Sequence, residues 1–200
     1  MAITPQQFKQ MQERLREPRR TATAVFEGTL AVNGTSHKVI LGLDPSLRGT
    51  GYGVIRWGRP DPKPVAHGTI SCAAGWARSR CLVKIVQVLR EVLNAHQPTI
   101  CVVEGLFYAQ NLQTALIMGE ARGAALSAIA EAGVEIYEMA PRKVKQAIVG
   151  YGAAQKFAVA KMVQRMLRLA EPPEPDAADA LALALTHGQG RYGLNSPKRI

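Results

Sequence analysis

Asp44, Glu104, Asp176 and Asp179 are the residues of this 200-residue chain whose type and placement best suit chemistry. Asp44 closes the apolar run Val39-Ile40-Leu41-Gly42-Leu43, and Glu104 closes Ile100-Cys101-Val102-Val103. Asp176 and Asp179 open an alanine-rich stretch that ends near His187. A carboxylate at the end of a buried strand is costly unless a cation compensates it. With only 15 acidic residues against 25 basic ones, four acids in such places call for a common reason. A divalent metal site supplies one, because carboxylate and water oxygens are the ligands Mg²⁺ prefers. Asp176-x-x-Asp179 sets two carboxylates on one helix face, a turn apart. Taken singly, each acid has a plainer role. Asp176 suits a helix cap or dipole partner, Asp44 a turn before Pro45, and Glu104 an outward strand end. Their coincidence favours the metal site.

Such a site needs strands that end together and a helix above them. Hydrophobic periodicity predicts strands over 39–44, 50–57 and 65–71, joined by short turns as an antiparallel meander. An amphipathic helix over 77–95 carries Leu82, Ile85, Val86, Leu89, Val92 and Leu93 on one side. Pro98 breaks it before a strand over 99–104, and a helix over 111–131 leads to a strand over 134–139. Helices over 141–148, 154–169 and 176–187 complete the order. This gives an α/β fold with a mixed five-stranded sheet, three antiparallel strands followed by parallel crossovers, flanked by helices. The first and fourth strands are expected to lie side by side, which puts Asp44 and Glu104 at one edge under the last helix. His187 reads as a helix C-terminal histidine.

The surroundings bound the partners. A formal charge of +10 points to a polyanion, most simply nucleic acid. Cys72, Cys81 and Cys101 lack a CxxC spacing and read as reduced core thiols of a cytosolic protein. No apolar run reaches a membrane span, so no membrane partner is expected. Residues 1–37 form a basic extension with a weak helical stripe and a hairpin-like stretch around Asn33-Gly34. Residues 38–190 make the folded domain and 191–200 a basic tail.

Four blocks then carry a resemblance. Ile40-Leu41-Gly42-Leu43-Asp44-Pro45 through Gly49-Thr50-Gly51-Tyr52-Gly53-Val54-Ile55 resembles the first strands of the RuvC family of Holliday junction resolvases. Val102-Val103-Glu104 with Phe107-Tyr108-Ala109-Gln110-Asn111 resembles its second acidic strand and following loop. Val144-Lys145-Gln146 through Val149-Gly150-Tyr151-Gly152-Ala153-Ala154-Gln155-Lys156 resembles its basic DNA-contacting segment. Pro175-Asp176-Ala177-Ala178-Asp179-Ala180-Leu181-Ala182 is similar to its last helix. The resemblance implies an RNase H-like fold, a homodimer, and metal-dependent paired nicking of four-way DNA junctions in recombination and repair. It implies Asp44, Glu104, Asp176 and Asp179 as catalytic ligands of two Mg²⁺ ions, with Mn²⁺ as a substitute. Products would be 5′-phosphate and 3′-hydroxyl ends. Lys145 and Lys156, reinforced by Arg142 and Lys143, would contact phosphates, and Phe107 and Tyr108 would stand near the junction centre. A cytoplasmic, nucleoid-associated enzyme working beside a branch-migration motor fits the same picture.

Ser46 stands where the family usually has glycine, and Gly105 where a larger residue is common. Two rivals follow from the same residues: another RNase H-like nuclease acting on branched or RNA-containing substrates, and a junction-binding protein that does not cut. Retention of all four acids counts against the second.

Overall fold

A computed structural model describes residues 39–58, 60–105, 111–190 and 197–200. The expectations for the 1–37 extension, and those for Phe107 and Tyr108, fall outside the described residues. The described elements up to residue 190 follow the predicted order, each end within two residues of its expected place. They are β1 (Val39–Asp44), β2 (Gly49–Arg56), β3 (Lys63–Ser71), α1 (Arg78–His96), β4 (Ile100–Glu104), α2 (Leu112–Glu131) and β5 (Glu135–Met139). Then come α3 (Pro141–Val149), α4 (Lys156–Leu167), α5 (Pro175–Gln189) and β6 (Lys198–Arg199).

The strands pair in the order β3-β2-β1-β4-β5-β6. β1 runs antiparallel to β2 and parallel to β4, as the crossover pattern required, and β5 runs parallel to β4. One expectation is corrected: among the described residues the sheet has six strands, not five. The sixth comes from the stretch expected to be a tail. Lys198 pairs with Glu138 and Arg199 with Tyr137, while the Ile200 amide donates to the Ile136 carbonyl at 3.1 Å. Two charged residues carry no hydrophobic alternation, so nothing in their own sequence reads as a strand. An open edge of β5 and an Arg199–Glu135 ion pair at 2.9 Å place them.

Strand alternation divides the core in two. Leu41, Leu43, Val54, Cys101 and Val103 face α1 and α2, packing with Ile85, Leu89, Ala125 and Ile129. Ile40, Ile55, Ile100, Val102 and Met139 face the other way, onto α3, α4 and α5. The period of two carries Asp44 and Glu104 onto this second face, beneath α5. α5 lies unusually close to the sheet because two glycines leave room for its backbone. A Cβ at Gly42 would run into the Ala180 carbonyl, and one at Gly51 into the Asp176 carbonyl. Ala177, Ala178, Ala180, Ala182 and Ala184 are all buried, so the helix meets the strands through small side chains. The alanine-rich sequence is thus a packing requirement, and it brings the first turn of α5 down onto the ends of β1 and β2. Cys72, Cys81 and Cys101 are buried free thiols, as expected. Among the described residues no helix is long and apolar enough to cross a membrane.

Candidate active site

Asp44 and Glu104 are the last residues of neighbouring parallel strands, one step beyond the Leu43–Val103 register pair. Their side chains are hydrogen-bonded to each other. Burial pushes Glu104 up to about 8, and the Asp44 charge and their shared hydrogen bond add to it. Burial likewise raises Asp44, with Asp179 and Asp176 adding repulsion, while the bond from Glu104 and the Lys156 ammonium pull it back. Two carboxyls that share a hydrogen bond hold a proton between them.

Asp176 and Asp179 enter from the first turn of α5, where Pro175 occupies the first helical position and Asp176 complements the helix N-terminus. One Asp176 carboxylate oxygen lies beside Gly49, at the start of β2. Lys156 is the first residue of α4, and its Nζ lies 3.1 Å from Asp179 Oδ2 and 3.7 Å from Asp176 Oδ1. Burial alone would lower the Lys156 ammonium, but Asp179, Asp44 and Asp176 outweigh it and the net shift is upward. The four acids are therefore brought together as expected, and Lys156 joins them. Its sequence context suggests a phosphate contact, yet here it balances the α5 carboxylates. Arg142, Lys143 and Lys145 stand on α3, with the Arg142 side chain lying over Gly152.

The donor chemistry fits a hard divalent cation. Every donor is a carboxylate oxygen, and burial holds Asp44 and Glu104 back from ionising until a positive charge is near. Among the described residues no three such groups already stand at metal-holding spacing. As they stand, the acids are compensated in two pairs, one by a shared proton and one by Lys156. A cation would take the place of both.

A pH experiment reads this directly. Below their unfolded values both forms of the chain carry the Asp44 and Glu104 protons. Between those values and about 8 the folded chain keeps protons that the unfolded chain has lost, so stability falls as pH rises through that window. Lys156 is charged throughout it. In chelator, Tm is expected to drop between pH 5 and pH 8.5, and millimolar Mg²⁺ is expected to restore it at pH 8.5 but not at pH 5. Differential scanning calorimetry checks this, and a Tm that climbs with pH in chelator would contradict the buried acid pair.

Sequence reasoning misses two supports of the site and reads a third, Gly105, only as a departure from the family. Thr50, fully buried on β2, donates its Oγ1 hydrogen to the Ser46 carbonyl at 2.5 Å and accepts from the Ser46 amide at 3.2 Å. It clips the loop after Asp44 shut, so the serine in place of glycine sits in a defined turn. Arg122 on α2 is buried, at 7% exposure. Its guanidinium donates to the Glu104 carbonyl at 2.5 Å and to Glu138 Oε2 at 2.5 Å. A lone cation within Ala121-Arg122-Gly123-Ala124-Ala125 was the available signal, since an isolated charge in a buried helix needs an acid. Gly105 is the third: its amide donates to the Met139 carbonyl at 2.8 Å, and a Cβ there would press on Glu138 Cγ at 3.3 Å. His187, by contrast, packs its ring on Tyr137 at 5.7 Å.

A family model described as crossover junction endodeoxyribonuclease RuvC matches residues 40–187, which span all four acids. The chain belongs to the RuvC family. A crossover junction endodeoxyribonuclease RuvC from Akkermansia muciniphila is 45% identical over 148 residues, covering 74% of this chain and 89% of that protein. Thermus thermophilus RuvC, solved in complex with Holliday junction substrate, superposes with a TM-score of 0.72 at 36% identity. That match covers 81% of this chain and all (100%) of the other. The yeast mitochondrial Holliday junction resolvase shares the fold, with a TM-score of 0.55 at 10% identity. The RNase H-like architecture expected from the resemblance is the one observed. Nucleases of this family are metal-dependent.

Proposed function

We propose that this RuvC-family chain is a crossover junction endodeoxyribonuclease that cuts four-way DNA junctions by metal-assisted hydrolysis of two phosphodiester bonds. The observation that carries this reading is the convergence of Asp44, Glu104, Asp176 and Asp179 from three separate elements onto the carboxyl ends of the two central strands. Asp44, Glu104, Asp176 and Asp179 would hold two Mg²⁺ ions, with Mn²⁺ as a substitute. When bound, such ions lower the pKa of the attacking water and neutralise charge on the leaving oxygen. The chain's own groups do the rest. The rigid strand ends under Gly42 and Gly51 fix Asp44 and Glu104 against the first turn of α5, so the donors need little reorganisation. The Lys156 ammonium, 3.1 Å from Asp179 Oδ2 and 3.7 Å from Asp176 Oδ1, stands at the acid cluster, where it would donate to a phosphate oxygen of the cut strand. Arg142, Lys143 and Lys145 on α3 extend the positive surface along the DNA. Ends with 5′-phosphate and 3′-hydroxyl would result.

Paired nicks call for two active sites related by the two-fold symmetry of the junction, hence a homodimer. α2 supports this. Leu112 and Leu116 are 77% and 59% exposed, and a Cβ at Gly119 or Gly123 would meet nothing. The spacing 112, 116, 119, 123 is that of a helix–helix seam, left open among the described residues. Leu116→Glu is expected to give a folded monomer by light scattering with an unchanged far-UV spectrum, and a variant that stays dimeric places the interface elsewhere. A branch-migration motor as partner and a nucleoid location remain part of this reading.

The function is tested with end-labelled four-way junction and linear duplex of the same sequence, each with and without Mg²⁺. Paired symmetric nicks in the junction alone, requiring the metal, are expected. Equal cutting of linear or RNA-containing duplex would favour a broader RNase H-like nuclease, and binding without cutting a non-catalytic junction protein.

A further inference from the structure

Between Met139 and Ala170 the chain carries seven Arg and Lys residues and no acid. The described Phe, Tyr and Trp side chains are half-buried with two exceptions, Phe157 at 70% and Tyr151 at 55% exposure. Both exceptions fall inside this acid-free stretch. Neither ring belongs to the hydrophobic cluster beneath α3 and α4, so packing does not account for them. α2, which carries the open seam, packs on the opposite face of the sheet, so the candidate dimer contact does not cover them either.

Their placement is specific. Phe157 follows Lys156, whose Nζ sits 3.1 Å from Asp179, so the exposed ring stands one residue along the helix from the cation that faces the acid cluster. Lys161, one turn further along α4, holds its Nζ 5.7 Å from the Phe157 ring centroid. Tyr151 leads the turn into α4, directly after Gly150, whose φ of 97° ends α3. Exposed aromatic rings interleaved with cations in a stretch of chain without acids are what single-stranded nucleic acid requires: charges for the backbone and a flat face for a base.

We propose that Tyr151 and Phe157 form a stacking platform for unpaired nucleobases next to the scissile phosphate. This rests on the junction-nuclease reading and adds a second base-binding element to it, separate from the 106–110 loop. Bases that leave the helix at the branch point would lie on these rings while Lys156 and the acids engage the phosphate between them. The platform favours substrates whose bases are already unstacked, which a linear duplex lacks.

The test uses the full chain in EDTA, so that nothing is cut, and a four-way junction bearing 2-aminopurine beside the cleavage point. Phe157→Ala is expected to weaken junction binding about tenfold and to relieve the quenching of 2-aminopurine. The slope of log affinity against log salt is expected to stay as in the parent, because no charge is lost, whereas Lys145→Ala lowers it by about 1. Phe157→Trp is expected to restore both affinity and quenching, and Phe157→Leu neither. Unchanged binding and quenching in Phe157→Ala, or full rescue by leucine, would overturn the platform. Both rings are exposed, so the variants are expected to keep the parent's Tm. A parent protein that neither binds nor cuts the junction overturns the junction reading, whereas a competent parent with a parent-like Phe157→Ala overturns only the platform.

Discussion

Glu104→Gln and Asp44→Asn variants are expected to bind the four-way junction at least as tightly as the parent while cutting it a thousandfold more slowly or worse. The amides keep the shape and the hydrogen-bonding of the buried pair, so the fold is preserved. They cannot ionise, so the negative charge that would hold a divalent ion is lost. Several kcal/mol of charge stabilisation then goes, at ~1.4 kcal/mol per factor of ten in rate. Binding in EDTA is not weakened, because the pair already shares a proton and the amide removes no attraction for phosphate. The double variant is expected to be scarcely worse than either single one, since groups that act as a unit are not additive. Single-turnover cleavage of labelled junction, paired with gel-shift titration in EDTA, separates the two effects. A Glu104→Gln enzyme within tenfold of the parent rate would remove Glu104 from the chemistry. The same variant should flatten the fall of Tm with pH, because the group whose proton uptake raises stability toward pH 5 is gone. Lys156→Met is the informative contrast: it loses a cation that faces the acids, so junction affinity falls along with rate.

Much of this site is legible in the sequence, for a physical reason. Asp44 and Glu104 end short apolar runs whose length and flanking Pro45, Pro98 and Gly105 mark buried strands, and Asp176 and Asp179 share a helix face by spacing alone. Parallel pairing of β1 with β4 then follows from crossover rules. What the residues do to one another is less visible. Lys156 lies 20 residues before Asp176 in sequence, and nothing in the intervening Glu171-Pro172-Pro173-Glu174 loop says that the chain turns back to set Nζ against Asp179. The closeness of α5 to the sheet is encoded in Gly42 and Gly51, but a glycine in a strand reads equally well as a bulge or a bend. β6 is invisible because an edge pairing uses backbone groups that every residue has. Arg122 stands out as an isolated cation, but nothing in the sequence names Glu138, 16 residues away, as its partner, so their bond exists only in three dimensions.

That last pair carries the second large effect. Arg122→Met is expected to lower stability by about 2 kcal/mol, because breaking a partly buried ion pair strands the partner charge. The stranded groups are the Glu138 carboxylate and the Glu104 carbonyl, both of which the guanidinium reaches from α2. Arg122→Lys is expected to recover little, since an ammonium on a flexible stem cannot span two acceptors on neighbouring strands as the planar fork does. Glu138→Gln keeps an acceptor in place and should be milder, near ~1 kcal/mol. The decisive test is the double variant Arg122→Met, Glu138→Leu. Replacing both partners by apolar groups removes the stranded charge, so urea denaturation is expected to return much of the lost stability. Cleavage is not expected to return with it. The Glu104 carbonyl, at the last residue of β4, still lacks its donor, and the carboxyl that residue carries loses its fixed position opposite Asp44. Junction affinity in EDTA should meanwhile stay at the parent level, because none of these groups faces phosphate. A double variant that regains stability and rate together would mean that Arg122 serves the fold alone. Stability regained without rate would mean that α2 holds the catalytic strand end in place, so that a seam formed on the same helix by a second copy bears on the geometry of the cut.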